Sequence, residues 1–115
     1  TTSFCVGHQN AKAGDLSNAN WNLLYLIAHD CYKVGHFYYA AKAFDTLESL
    51  EPTTEYWNGK RGACCGVLQQ VIAGKEMKEH LLDIMSMLDN DTNPHADFIL
   101  RVMRQWCAEN GVQDY

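Results

Sequence analysis

Residues 21–54 read WNLLYLIAHDCYKVGHFYYAAKAFDTLESLEPTT, and the spacing of their apolar and small side chains decides the fold. With Trp21 counted as position 1, apolar residues stand at positions 4 and 7 (Leu24, Ile27) and a small one at 8 (Ala28). A glycine follows at 15 (Gly35), a small residue at 20 (Ala40), an aromatic at 24 (Phe44) and a proline at 32 (Pro52). Each has a mechanical reason. Ala28 and Ala40 let two antiparallel helices approach closely. Gly35 can take the left-handed conformation that ends a first helix, and Pro52 blocks continuation of a second. Only Leu47, at position 27, stands where alanine is usual. The stretch predicts a hairpin of two helices.

That spacing is the 34-residue tetratricopeptide repeat (TPR) pattern, and a lone repeat hairpin cannot bury its apolar face without stacked neighbours. The rest of the chain supplies them. Trp57, Cys64, Val67, Leu68, Val71 and Ile72 recur at helical spacing, with Thr53 or Thr54 as cap and Gly74 as stop. Met77, Leu81, Ile84, Met85 and Leu88 form the stripe of a further helix. Asn93-Pro94 then opens a last one, lined by Phe98, Ile99, Val102, Met103 and Trp106 and ended at Asn110-Gly111. Strand alternation appears nowhere. The expectation is an all-α chain, five helices near 21–34, 37–50, 55–73, 76–89 and 94–110, stacked as TPR-like antiparallel hairpins in an α-α superhelix. As domains, 1–115 reads as one unit, with a repeat at 21–54, a degenerate repeat at 55–89 and a capping helix at 94–110.

Residues 1–20 break the register. If Gly14 is position 15 of an earlier repeat, Gly7 falls on 8, Leu16 on 17 and Ala19 on 20. The next repeat then begins at Trp21, about thirteen positions early for that period. Either Ser17–Val34 is one long helix, or residues that once joined Asn20 to Trp21 are absent. The second is the expectation taken, with Thr1–Ala13 as the first helix of a preceding repeat and Gly7 at its crossing. The chain also starts without methionine, as a fragment would.

A length of 115 residues suits one domain with a core, and 47% hydrophobic against 20% charged residues is an ordinary globular balance. No apolar run reaches membrane-spanning length. A net charge of −5 offers no footprint for nucleic acid or an anionic membrane. Five cysteines (5, 31, 64, 65 and 107) are an odd number without framework spacing, which predicts reduced thiols and a cytosolic setting.

Patterns that carry chemistry are scarce. Cys64-Cys65 is not a CxxC pair, and histidines 8, 29, 36, 80 and 95 lack metal spacing, so no metal or cofactor is expected. His29 and Cys31, two apart on a helix, point in different directions. Glu48 with Glu51, and Glu76, Glu79 and Asp83, are spaced as solvated helix faces. Gly59, Gly62 and Gly66 lack the lysine and hydroxyl of a phosphate loop and read as close helix packing. The chain is expected not to be an enzyme.

A surface remains. Positions 2, 5, 9 and 12 of a repeat face the concave groove of a stack, and here they are Asn22, Tyr25, His29 and Tyr32. Two aromatics and two hydrogen-bonding groups on one helix face suit docking of a peptide or helix. Equally, Tyr25 and Tyr32 could pack on the neighbouring repeat.

The blocks FYYAAKAFD (37–45) and EYWNGKRGAC (55–64), followed by IAGKE (72–76) and RVMRQWCAENGV (101–112), carry a resemblance. The chain from Asn22 to Val112 resembles the C-terminal end of the intraflagellar transport protein 56 family, also called tetratricopeptide repeat protein 26. It departs in the register near Asn20–Trp21 and in the acidic stretch at 89–91. The resemblance implies a non-catalytic adaptor in the complex B train of intraflagellar transport. It further implies partners among other complex B subunits, notably subunit 46, together with ciliary motility cargo. The setting it implies is the cilium or flagellum, basal body and cytoplasm. The alternative is a TPR co-chaperone-type module that binds a peptide tail. Such a groove would need lysine and asparagine to clamp a carboxylate, and Tyr25 and His29 stand in their place.

Overall fold

The computed structural model describes the backbone of residues 13–112 and the side chains of 20–112. Five helices follow one another: α1 (Ala13–Val34), α2 (Phe37–Leu50), α3 (Thr54–Ile72), α4 (Lys78–Asp89) and α5 (Pro94–Glu109). No strand occurs among the described residues. The all-α expectation of TPR-like hairpins holds, and α2 to α5 begin and end within two residues of the sequence reading.

Local chemistry accounts for those ends. At Gly35 φ is +87°, where a side chain would be strained. The Gly35 N–H reaches the Tyr32 carbonyl at 3.2 Å and the His36 N–H reaches the Cys31 carbonyl at 2.8 Å. Two carbonyls left over at the end of α1 are thereby satisfied. The same pair of bonds closes α3 at Gly74. Thr53 caps α3, its hydroxyl accepting from the Tyr56 N–H at 3.2 Å. Asn93 caps α5 ahead of Pro94, accepting from the His95 N–H at 2.9 Å.

The N-terminal reading is corrected. Helix α1 runs unbroken from Ala13 through Asn20, Trp21 and Asn22 to Val34, so no gap or turn separates Asn20 from Trp21. No glycine or proline lies between Asp15 and Val34, and nothing in that stretch stops a helix already started. Thr1–Lys12, assigned to a preceding repeat together with Gly7, lie outside the described residues, and Ala13 opens α1 instead.

The core lies between α2 and α3, whose pairing is the most extensive; α1 packs on α2 and reaches α3 through Trp21, Tyr25 and Tyr32, and α4 and α5 close the other end. Ala28 and Ala40 are fully buried on facing helices, as expected of small residues at a close helix crossing. Phe44, Leu47, Ala63, Cys64, Val67, Leu81, Ile84 and Leu88 complete this interior.

Glycines on α3 set the closeness of the packing. A Cβ at Gly59 would lie 2.5 Å from the Phe44 ring, one at Gly66 2.5 Å from the Phe37 ring, and one at Gly62 2.5 Å from the Tyr32 hydroxyl. Three aromatic side chains of α1 and α2 therefore rest on three bare stretches of α3 backbone. Dispersion contact with a whole ring favours such approach.

One stripe is phased differently from the sequence reading, and two others lose a terminal member. In α5 the buried residues are Ala96, Leu100, Met103 and Cys107, while Phe98 is 65% and Val102 45% exposed. The small Ala96 and Cys107 let α5 sit close, and that rotates Phe98 and Val102 outward. Met77 precedes α4 as its N-cap residue, and Ile72 ends α3; both are exposed.

Candidate protein-binding surface

The four groove candidates lie on α1, and the structure brings three of them onto α3. The Tyr25 hydroxyl donates to Glu55 Oε2 at 2.7 Å. That bond, with some burial, raises the Tyr25 phenol above its ordinary value. The His29 ring stacks at a tilt on Tyr25, centroids 4.3 Å apart, and meets the edge of Phe44 at 5.3 Å. Its Nε2 is shielded from solvent without a hydrogen-bond partner and lies 3.7 Å from Glu55 Oε2. Tyr32 packs edge-on against Phe37 at 5.4 Å and over Gly62. Asn22 alone is exposed without such packing. Trp21 extends the row, its indole N–H donating to the Tyr56 hydroxyl at 3.1 Å.

The aromatic stripe therefore packs one edge against α3 and turns the other to solvent, with Tyr32 and the His29 side chain each 40% exposed. Asn22, the outer edges of His29 and Tyr32, and Glu55 remain available at its rim. Glu55 brings a carboxylate to the middle of the row, with 57% of its side chain exposed.

Sequence reasoning missed a second cluster. Lys60, on α3, is 1% exposed. Its ammonium donates to Asp45 at 2.7 Å, Asp91 at 2.8 Å and Glu48 at 3.1 Å. Burial alone would lower the Lys60 pKa, but the hydrogen bonds to Asp45 and Asp91 outweigh it and hold the ammonium well above its ordinary value. Glu48, expected on a solvated face, has a side chain only 15% exposed, and burial pushes it up to about 7. Burial also works against an ionised Asp91. Its hydrogen bonds with Glu48, Lys60 and the Asn93 N–H nonetheless bring it below the usual carboxylate range. Read in sequence, Asp45 and Glu48 sit three apart on α2 and give no hint of a cation. The acidic 89–91 stretch is the one visible signal.

Other expected surface carboxylates are also engaged. Asp83 accepts from the Tyr38 hydroxyl at 2.5 Å, and Glu76 bonds His80 Nδ1 at 2.8 Å. The His80 ring lies parallel on Tyr38, centroids 3.7 Å apart. The two Tyr38 contacts pin α4 to α2.

Among the described residues, no group of three or more His, Cys, Asp or Glu is placed to hold a metal ion. None of their helices is long and apolar enough to cross a membrane. An open cleft of about 640 Å³ lies between the start of α3 and the start of α5, bordered by Trp57, Asn58, Arg61, Asp91 and His95.

Comparison with known proteins gives a consistent result. The chain matches the family described as Intraflagellar transport protein 56 over residues 10–115. It is 37% identical over 94 residues to the intraflagellar transport protein 56 homolog of Caenorhabditis elegans, an alignment that covers 79% of this chain and 16% of that protein. The chain thus spans about one sixth of the length of this curated relative. No solved structure matches it. With a family match that runs through all five helices and the cluster around Lys60, this chain belongs to the intraflagellar transport protein 56 family.

Proposed function

We propose that this chain is a non-catalytic protein-binding module of intraflagellar transport, an adaptor that works in ciliary assembly and cargo transport. The observation that carries this reading is the family match over residues 10–115. The geometry supports it in a specific way. Tyr25, Lys60, Tyr38 and His80, polar groups from which a reactive site would be built, each lie against another helix and spend their polar atoms or ring faces there. What the fold presents outward is surface.

In this reading, 1–115 is one domain, Trp21–Thr54 is a repeat, Glu55–Asp89 a degenerate one, and residues 94–110 a terminal cap. The partners are other complex B subunits, notably subunit 46, and cargo linked to motility. The setting is the cilium or flagellum, with the basal body and cytoplasm. Contact at the groove rim falls to Asn22, His29 and Tyr32, with Tyr25 holding Glu55 in place behind them.

The peptide-tail alternative fits less well. A tail carboxylate entering between Tyr25 and His29 would meet the Glu55 carboxylate, and like charges at such distance repel.

Binding of purified complex B subunit 46 to this chain, measured by calorimetry, tests the proposal. Saturable binding that weakens when Asn22 and Tyr32 are both replaced by alanine supports the adaptor and its rim. Binding unchanged by those replacements moves the site elsewhere on the surface. Failure of this chain to co-purify any complex B subunit from ciliated cells overturns the adaptor reading.

A further inference from the structure

The Lys60 cluster sets one ammonium against three carboxylates, of which Asp45 reaches solvent while the rest is nearly closed to water: the side chains of Lys60, Asp91 and Glu48 are 2%, 5% and 15% exposed. Fully ionised, it would carry two uncompensated negative charges within hydrogen-bond reach of one another. Carboxylates so placed do not all ionise together; one keeps a proton and shares it with a neighbour.

The cluster is also wired to the start of α5. Asp91 Oδ2 takes the Lys60 ammonium at 2.8 Å, and its other oxygen accepts from the Asn93 N–H at 2.8 Å. Asn93 in turn caps α5 through the His95 N–H at 2.9 Å. Three consecutive hydrogen bonds therefore run from a buried lysine on α3 to the first turn of the last helix.

We propose that this cluster is a proton-operated latch. One proton, carried by Glu48 and shared with Asp91, holds the α4–α5 turn closed, and its loss loosens that turn and the first turn of α5. The groups that face Glu48 support this assignment. Lys60 faces it from α3 and Asp91 from the α4–α5 turn, while Asp45 stands on its own helix across the ammonium. Arg61 and His95 border the same cleft from α3 and α5. Asp45 is the most open of the three carboxylates, at 38%, and water can solvate its charge. Asp91 is fixed as the anion by the Lys60 ammonium and the Asn93 N–H. Glu48 is left to hold the proton. Its release adds a third charge beside Asp91, which competes for Lys60 and pushes the turn away from α2. Because the first turn of α5 borders the cleft beside Trp57 and Arg61, the latch also sets the width of that cleft. Burial raises Glu48 to about 7, so the device operates near neutral pH.

The test follows two signals in the same protein from about pH 5 to about pH 9, a span that brackets the transition. One is the Glu48 side-chain carboxyl carbon shift. The other is the amide exchange protection of Asn93, His95 and Ala96, corrected for intrinsic rate. The latch requires Glu48 to titrate far above free glutamate. It also requires the three amides to lose protection with the same midpoint, by up to tenfold per pH unit, while amides of α1 and α2 do not follow. Glu48→Gln, which keeps a neutral hydrogen-bonding side chain, should retain protection at high pH. Titration of Glu48 in the ordinary carboxylate range, or an unshifted loss of protection in Glu48→Gln, overturns the proposal. Should Glu48→Gln fail to fold, the wild-type midpoints alone decide it: coincidence supports the latch, and separation by a pH unit or more rejects it.

Discussion

Replacing each of the three α3 glycines by alanine should produce effects of different sign within one helix. Every such change gains helix propensity, about 1 kcal/mol over glycine. The clash decides the rest. At Gly59 the new methyl would stand 2.5–2.7 Å from three carbons of the Phe44 ring, where ordinary contact is about 3.5–4.0 Å. Phe44 is 1% exposed and bounded by His29 and Tyr32, so its ring has nowhere to swing. At Gly66 the methyl meets Phe37 at Cγ, 2.5 Å away, the root of the ring, and turning the ring about its own axis cannot relieve it. Overpacking of this kind costs about 1–3 kcal/mol. Less the propensity gain, Gly59→Ala and Gly66→Ala should each lose up to about 2 kcal/mol. At Gly62 the nearest atom is the Tyr32 hydroxyl, the free end of a side chain that is 40% exposed. Tyr32 can move aside, and Gly62→Ala should be neutral or gain up to about 1 kcal/mol. Urea unfolding of the four proteins measures all three values. Equal effects at the three sites, or Gly62→Ala as the most damaging, would refute the reasoning.

Removing the buried cation should be severe: Lys60→Met leaves carboxylates without their partner and should lose about 3–5 kcal/mol, with part recovered at low pH as Glu48 and Asp91 take up protons. A loss under 1 kcal/mol by denaturant titration would mean the carboxylates reach water. Ala40→Leu should lose about 1–3 kcal/mol by overpacking a site that is fully buried; an unchanged unfolding midpoint would show that α1 and α2 do not meet there. Thiol titration of the denatured chain should count five. In the native protein Cys107 should stay silent because it is buried, and Cys64 because burial also pushes its thiol up to about 12. Rapid alkylation of Cys64 would contradict its placement.

The helix ends were legible in the sequence because their causes are local. A left-handed glycine at 35, the threonine cap at 53 and the Asn93-Pro94 start each act within one turn of backbone. The small residues at 28 and 40 followed from the repeat spacing for the same reason: two helices joined by a short turn must cross close by. The groove stripe was legible as residues sharing one helix face, but what that face meets was not. Tyr25, His29 and Tyr32 are drawn inward by Glu55, Phe44 and Gly62, and those partners belong to other helices. The break expected at Asn20–Trp21 came from counting repeats, whereas the backbone there obeys only the absence of a stop, and α1 runs through.

Tertiary structure alone decided the phase of α5 and the fate of the charges. Which side of α5 is buried depends on how closely Ala96 and Cys107 let it approach the stack, and that distance is set by the helices beneath. Lys60 finds its carboxylates 12, 15 and 31 residues away, on two other elements. Periodicity along a chain reports which residues share a face. It carries no record of what that face meets, because burial and charge pairing depend on neighbours through space.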